Sequence, residues 1–446
     1  MPTPDDTLVA LATPPGTSGI GVVRISGAAA ERIAHAMLGS VPEPRVATVA
    51  TFVDAQREPL DQGIALYFPA PASFTGESVL ELHGHGGPVV LSLLVDAAVD
   101  LGARRAAPGE FTQRAFLNGK LDLAQAEAVA DLIESGTAQA ARAALRSLNG
   151  VFSAAVNELA EQLTAIRVYV EAAIDFPEEE IDFLADDELG ARLARAAAAF
   201  DSLLSRASVG RVLRDGYQVV IVGKPNAGKS SLMNRLSGEE TAIVTEIAGT
   251  TRDVLRERID IDGLAVELVD TAGLRDNPDR IEAEGIRRAR KALAGADAVL
   301  WIQDATEALP ARIEEPLRDG VPVTIVRNKI DLTGDRAGLL EGEPPVVMLS
   351  AHTGEGLEAL RRRIRELAGF RDLGEGAFTA RRRHVEALQN AQQHFAAGRA
   401  ALRDARAGEL LAEELRLAQQ ALGTITGEVT ADDLLGRIFS EFCIGK

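Results

Sequence analysis

The sequence predicts a multidomain α/β protein. It has a compact α+β domain at the N-terminus, a central α-helical domain written in two blocks, and an α/β segment with a doubly wound sheet inserted between them. Three observations predict this. Gly223-Lys224-Pro225-Asn226-Ala227-Gly228-Lys229-Ser230-Ser231 fits the phosphate-loop pattern G-x-x-x-x-G-K-[ST], between an apolar run (Tyr217 to Val222) and a helix start (Leu232 to Leu236). Residues 119–214 are rich in Ala, Leu, Glu and Arg and nearly free of proline, which reads as long helices. The same helical character returns after residue 370. At 446 residues, two to four domains are expected.

Residues 1–118 mix strand-like runs (Leu8 to Ala12, Ile20 to Ile25, Val79 to Leu82) with turns rich in Gly and Pro, and one helix is expected across Val89 to Leu101. Residues 119–214 form the first helical block, broken by Asp175-Phe176-Pro177-Glu178-Glu179-Glu180-Ile181-Asp182. That acidic stretch reads as a loop or kink, with a metal site as the alternative. Residues 215–370 are the inserted segment and 371–446 the second helical block. There Leu411, Leu415, Ala418 and Leu422 fall on one helix face. Thr430 with Asp433 could cap a last helix through Leu434 to Phe439, with Asp where a capping box has Glu or Gln.

Composition narrows the class. A hydrophobic fraction of 46% allows sizeable cores, and with only 4% aromatics they must rest on Leu, Val, Ile and Ala. The single cysteine, Cys443, excludes an internal disulfide and fits a reducing compartment. Met1 to Thr7 carries Asp5 and Asp6 and does not read as a signal peptide, and no apolar run approaches the ~20 residues that span a bilayer. A cytoplasmic protein with no membrane association is expected. The net charge of -19 argues against broad non-specific nucleic-acid binding, which needs positive charge. It leaves room for a local basic patch at Arg361-Arg362-Arg363 or Arg381-Arg382-Arg383-His384, the alternative being solvated helix faces.

The chemistry lies in five motifs. In the phosphate loop, glycines let the backbone aim N–H groups at phosphate oxygens, and the helix N-terminus adds positive potential. Asn226, Ala227, Gly228, Lys229, Ser230 and Ser231 are the expected nucleotide contacts, with Lys229 on the outer phosphates and Ser230 on magnesium. Asp270-Thr271-Ala272-Gly273 follows the apolar run Leu264 to Val269: Asp270 suits magnesium through a water, and the Gly273 N–H the terminal phosphate. Asn328-Lys329-Ile330-Asp331 follows Val321 to Val326 and selects guanine, because Asp331 can accept two N–H bonds from its edge. Ser350-Ala351-His352 follows Val346 to Leu349 and suits a backbone contact to the base carbonyl. Thr250-Thr251-Arg252-Asp253 lies where a switch supplies a threonine, Thr251, to magnesium. Motifs in this order, each tied to a strand end, imply a Ras-like GTPase domain with its ligand at the carboxyl ends of the strands.

Two features bear on hydrolysis. Leu274 stands where many Ras-like enzymes place a water-orienting glutamine. Glu282, Arg275 and Arg252 are candidates to replace it; Glu282 could orient water directly or through a second water, or be an exposed helix residue. Asn226, with first-switch groups around Thr245, Ile247 and Thr250, could bind a potassium ion in the position of an arginine finger.

These residues, with Ala107-Pro108-Gly109-Glu110-Phe111-Thr112, Arg114-Ala115-Phe116-Leu117-Asn118-Gly119-Lys120 and the terminal Phe442-Cys443-Ile444-Gly445-Lys446, closely resemble the MnmE family, also called TrmE. These are bacterial tRNA uridine-modification GTPases. The resemblance runs from Ala12-Thr13-Pro14-Pro15-Gly16 to Lys446. It implies a folate-binding-like N-terminal domain that also mediates homodimerisation. It implies GTPase domains that associate across the dimer with GTP and potassium bound, and a heterotetramer with an FAD-binding subunit, MnmG. Together the two proteins would place an aminomethyl or carboxymethylaminomethyl group on carbon 5 of the wobble uridine of certain tRNAs. The one-carbon unit would come from 5-formyl- or 5,10-methylene-tetrahydrofolate. By matching position, Arg24, Glu81, Lys120 and Lys446 would contact the folate, and Cys443 could act as a nucleophile or be a tolerated thiol. His83-Gly84-His85 reads as a glycine-rich loop before it reads as a zinc pair. A ribosome-assembly GTPase of the Era or Der kind would need an appended basic RNA-binding domain, which the acidic balance does not favour. A purely regulatory switch would have no use for the folate-like domain.

Overall fold

The computed structural model describes residues 6–175, 187–239, 256–270, 293, 295–308, 320–369, 376–429, 432–440 and 442–445. In chain order the elements are β1 (Thr7–Leu11), β2 (Ser18–Ser26), α1 (Ala30–Leu38), β3 (Thr48–Val53), β4 (Pro59–Phe68), β5 (Val79–Gly86), α2 (Pro88–Asp100), β6 (Ala103–Arg105), α3 (Glu110–Leu117), α4 (Leu123–Glu134), α5 (Ala138–Leu148), α6 (Val151–Asp175) and α7 (Asp187–Asp215). They continue with β7 (Tyr217–Gly223), α8 (Lys229–Glu239), β8 (Arg256–Ile261), β9 (Leu264–Asp270), β10 (Ala298–Asp304), β11 (Val323–Asn328), α9 (Ile330–Thr333), β12 (Gly338–Leu340), β13 (Val346–Met348), α10 (Leu357–Leu367), α11 (Arg382–Ala405), α12 (Gly408–Thr426) and α13 (Asp432–Ser440). The chain divides into two compact units: the segment up to Ala130 joined by Gly423 onward, and Asp131–Leu422.

The first unit is built on a six-stranded sheet in the order β3-β4-β5-β2-β1-β6. Its pairs are antiparallel except β1 with β6. Strand alternation sorts the side chains. Val23, Ile25, Leu80 and Leu82 enter a core with Ile33 and Met37 of α1 and Leu91 and Leu94 of α2. The residues between them, Arg24 and Glu81, stand directly opposite each other across the β2–β5 ladder. The expected helix is α2, but α1 and α3 are helices as well: Ala30, Ile33, Ala34 and Met37 make a short apolar stripe that the surrounding turns obscure in the sequence. At the chain's end, Leu435, Ile438 and Phe439 of α13 and Phe442 pack on Leu123 and Ala126 of α4. The expected cap, Thr430 with the Asp433 side chain, lies outside the described residues.

The second unit holds the helical blocks and a seven-stranded sheet in the order β12-β13-β11-β10-β7-β9-β8. From β9 to β13 every neighbour is parallel; β8 and β12 are antiparallel edges. The carboxyl ends of β7, β10, β11 and β13 therefore open on one side, where open α/β sheets carry their ligands. Val219, Ile221, Leu232, Leu236, Leu360 and Ile364 bury α8 and α10 against one sheet face. Leu411, Leu415, Ala418 and Leu422 of α12 are all fully buried, the single face their spacing predicts.

In both basic runs arginines are paired with carboxylates of the protein itself. Arg361 faces Glu358, Arg363 faces Glu366 and Arg365 bonds Asp262 at 3.0 Å. Arg381 is buried and bonds Asp131 at 2.8 Å, while exposed Arg382 bonds Glu386 at 2.7 Å. The backbone N–H of Arg381 donates to the Nδ1 of buried His384 at 3.0 Å. Of the acidic stretch, residues 176–182 lie outside the described residues. Among the described residues no group of acidic, His or Cys side chains could hold a metal, and no helix is long and apolar enough to cross a membrane.

Candidate nucleotide-binding site

The phosphate loop leaves β7 at Gly223 and enters α8 at Lys229. Its path needs left-handed backbone: φ is 63° at Asn226 and 94° at Gly228. A Cβ on Gly228 would lie 2.1 Å from Asn328 Nδ2, so only glycine lets the two segments meet. Lys229 is buried, and its ammonium donates to the carbonyls of Gly223 at 2.8 Å and Lys224 at 2.7 Å, which fixes it over the loop. Ser230 and Ser231 are exposed on the first turn of α8, and Asn226 is exposed at the loop's crest.

Asn328 joins the loop to the segment that follows β13. Its Nδ2 donates to the Ala227 carbonyl at 3.0 Å, and its Oδ1 accepts from the Ala351 N–H at 2.9 Å. At 2% exposure it satisfies both ends of its amide inside the protein, so its role is to position others. Asp331 is exposed one turn on, with its Oδ1 accepting from the buried Ser350 hydroxyl at 2.5 Å. The same hydroxyl accepts from the Thr353 N–H at 3.1 Å, which fixes the turn that presents Ala351 and His352. Thus Asn226 through Ser231, Asn328, Lys329, Asp331, Ser350, Ala351 and His352 gather at the carboxyl ends of the parallel strands. Asp270 ends β9; its side chain, and Thr245, Ile247, Thr250, Thr251, Arg252, Thr271, Ala272, Gly273, Leu274, Arg275 and Glu282, lie outside the described residues.

Sequence reasoning missed β10 and the turn after it. Lys329 Nζ bonds Asp304 Oδ2 at 2.7 Å, and Lys224 Nζ bonds Glu307 at 3.2 Å. Lys329 and the Thr306 hydroxyl and N–H hold the Asp304 carboxyl down at about 2. The signal was present in Ala298-Val299-Leu300-Trp301-Ile302, an apolar run ending in Gln303-Asp304, one more parallel strand with a carboxylate at its end.

A second cluster sits in the first unit. Arg24 Nε donates to Glu81 Oε1 at 2.8 Å, and its guanidinium lies 5.9 Å from the centre of the Phe111 ring. Glu81 Oε2 also meets His83 Nε2 at 3.1 Å, and His85 Nδ1 meets Asp61 at 2.7 Å, so each histidine faces a carboxylate. The N-terminus of α3, which carries Phe111, is set by Glu110. Burial pushes the Glu110 carboxyl up, but Arg104 and the Ala107 N–H outweigh it and hold the group below the usual range. The C-terminal tail docks beside it: the Gly109 N–H donates to the Cys443 carbonyl at 3.3 Å. Gly445 lies so close to Leu11 that a Cβ would sit 2.1 Å from its carbonyl oxygen. The Cys443 thiol is exposed. Lys120 is exposed and donates to the Pro71 carbonyl at 3.2 Å; Lys446 lies outside the described residues.

Two family models divide the chain almost end to end. The GTP-binding protein TrmE N-terminus matches residues 7–120, and the MnmE helical domain matches 123–443. The tRNA modification GTPase MnmE of Pectobacterium atrosepticum is 56% identical over 450 residues, 99% of each chain. The chain belongs to the MnmE family. Family membership spans both units and both candidate sites. Among solved structures, a GTP-binding protein from Sulfolobus solfataricus in complex with GDP is 20% identical, covering 47% of this chain and 67% of its own, with a TM-score of 0.25. The G domain of the T. maritima FeoB iron transporter is 24% identical, covering 34% and 98%, also with a TM-score of 0.25. Scores this low carry no weight beside the family match.

Proposed function

We propose that this chain is a GTP-hydrolysing enzyme of tRNA modification. The observation that carries the reading is the Asn328 bridge, which joins the phosphate loop at Ala227 to Ala351, next to the Ser350 that bonds Asp331, in a chain that matches a tRNA modification GTPase over 99% of its length. Lys229, clasped over the loop, is aimed at the outer phosphates, and Asp331 accepts the guanine edge. Ser230 and Thr251 hold magnesium, which neutralises phosphate charge when bound; the exposed Ser230 hydroxyl on the first turn of α8 fits that ligand. Asn226, Thr245, Ile247 and Thr250 hold potassium, and Glu282, Arg252 or Arg275 orients the attacking water.

The finer reading places the modification chemistry in the first unit. Arg24, Glu81, Lys120 and Lys446 hold a tetrahydrofolate derivative, which supplies the one-carbon unit. The pairing of Arg24 with Glu81 suits this, because a carboxylate can accept paired N–H groups of a pterin edge while a basic group faces the anionic tail. Cys443 presents an exposed thiol on the tail docked at the start of α3, the helix whose Phe111 ring faces Arg24. The first unit also forms the homodimer, and the FAD-binding subunit MnmG completes the enzyme acting on the wobble uridine in the cytoplasm. Mass spectrometry of tRNA nucleosides tests the reading. A strain lacking this chain should lose the carbon-5 modification at the wobble uridine and regain it on complementation. An unchanged nucleoside profile would reject it.

A further inference from the structure

We propose that Asp304 is a positioning residue for guanine selection: through Lys329 it holds the left-handed backbone kink that aims Asp331 at the base. The inference rests on the GTP reading above and adds a residue to it. The chain leaves β11 and enters α9 through Lys329, which sits at φ 71°. A lysine in that region is disfavoured and persists only when its surroundings over-determine it. The surroundings here are the turn after β10. The Ala305 N–H donates to the Asn328 carbonyl at 2.7 Å. Arg327 Nη2 donates to the carbonyls of Ala305 and Glu307, each at 2.8 Å. Lys329 Nζ bonds Asp304 Oδ2 at 2.7 Å.

Three consecutive residues, Arg327, Asn328 and Lys329, are thus bonded to one four-residue turn. That turn is itself closed by Asp304, whose Oδ1 accepts from the Thr306 N–H at 2.9 Å and hydroxyl at 2.7 Å. Of these tethers only the Asp304–Lys329 pair carries charge on both partners and is the one made by Lys329's own side chain, so it holds the kink directly. Asp331, two residues beyond, has its Oδ1 engaged by Ser350. A shift of the kink would strain that bond and turn the carboxylate relative to the base, while the Asn328 side chain, bonded to Ala227 and Ala351, still holds the phosphate loop. Guanine selection by paired N–H bonds is sensitive to such a shift, because a site built to bond a group rejects the analogue lacking it only while its geometry holds.

The full-length protein tests this by binding of GDP, inosine diphosphate, which lacks the 2-amino group, and ADP. Asp304→Asn keeps size and the acceptor for Thr306 but removes the charge facing Lys329. It should weaken GDP binding at least tenfold and inosine diphosphate binding only about threefold. The preference for guanine over hypoxanthine then narrows, and the KM for GTP rises more than kcat falls. A preference equal to that of the unmodified protein overturns the inference, whatever the loss of affinity. Should Asp304→Asn lower the melting temperature without nucleotide by more than about 5 °C, Asp304→Glu must restore the preference; failure to do so overturns it as well. Unmodified protein that binds GDP no better than ADP overturns the nucleotide reading itself, and this inference with it.

Discussion

The two candidate sites are written into the chain in opposite ways. The nucleotide site is made of short contiguous segments, each placed just after a parallel strand, at Gly223, Asn328 and Leu349. The first unit's candidate cluster gathers single residues, Arg24 on β2, Glu81 on β5 and Phe111 on α3, with Cys443 proposed from the tail. A loop that must wrap a phosphate spends consecutive residues on one ligand. Antiparallel strands offer one residue per strand to a given spot, and the register that brings Arg24 opposite Glu81 spans 57 positions of sequence. The first kind of site is visible as a motif; the second is visible only in the fold or through a family.

The sharpest way to separate the two sites is to remove one. Deleting Cys443 to Lys446 should abolish tRNA modification and leave GTP hydrolysis nearly intact, because the tail docks on Gly109 and Leu11 while the phosphate loop has its own sheet. Cys443→Ser should spare folate affinity and Lys446→Ala should reduce it. Full modification by the truncated protein would place the reaction elsewhere.

The nucleotide site can be tested at the cation. Potassium should raise GTP turnover roughly a hundredfold over sodium at matched ionic strength, since a cation placed at developing phosphate charge contributes several kcal/mol. Asn226→Ala should erase that response and largely spare nucleotide binding. Equal rates in both salts would remove potassium from the mechanism.

A smaller effect separates base from phosphate recognition. Asp331→Asn exchanges an acceptor for a donor and should weaken GTP binding by roughly tenfold to a hundredfold, the ~1.4–2.8 kcal/mol of one lost charged hydrogen bond. Xanthosine triphosphate, with a carbonyl where guanine has its amino group, should become the better ligand. If both nucleotides weaken equally in a filter-binding assay, Asp331 supports the α9 turn and does not read the base.

Most of the second unit was legible: the phosphate loop, Asn328 to Asp331 and the buried face of α12 follow from local pattern alone. What was not legible has physical reasons. β10 carries an apolar run like its neighbours, yet Asp304 contacts its own protein and matches no ligand motif. β3 and β4 expose Val49 and Ile64, and β4 carries Asp61-Gln62-Gly63 in its interior, so their alternation is weak. The docking of the tail on α3 depends on packing between segments more than 300 residues apart, which no local pattern encodes.

Contiguity can also mislead, and the run Arg381-Arg382-Arg383-His384 shows how. In sequence it reads first as a solvated helix face, with a nucleic-acid contact as the alternative. In the structure Arg381 is 8% exposed and bonds Asp131, which Arg214 also reaches at 3.1 Å, while the next residue points to solvent. Arg381 is the extended residue just before the helix that starts at Arg382, so its side chain turns into the protein while that of Arg382 turns out. Arg381→Ala should therefore cost about 2 kcal/mol of stability, in the range of a hydrogen bond to a charged group. The loss stays below that of breaking an isolated buried pair because Arg214 still faces Asp131. Arg382→Ala, which removes an exposed pair with Glu386, should change stability by no more than about 0.5 kcal/mol. It should also leave tRNA modification unchanged. Urea denaturation of both variants, with nucleoside analysis of tRNA from complemented strains, gives the two numbers side by side. A stable Arg382→Ala protein that no longer supports modification would make the run a tRNA contact after all, and its contiguity would then carry the same meaning as that of the phosphate loop.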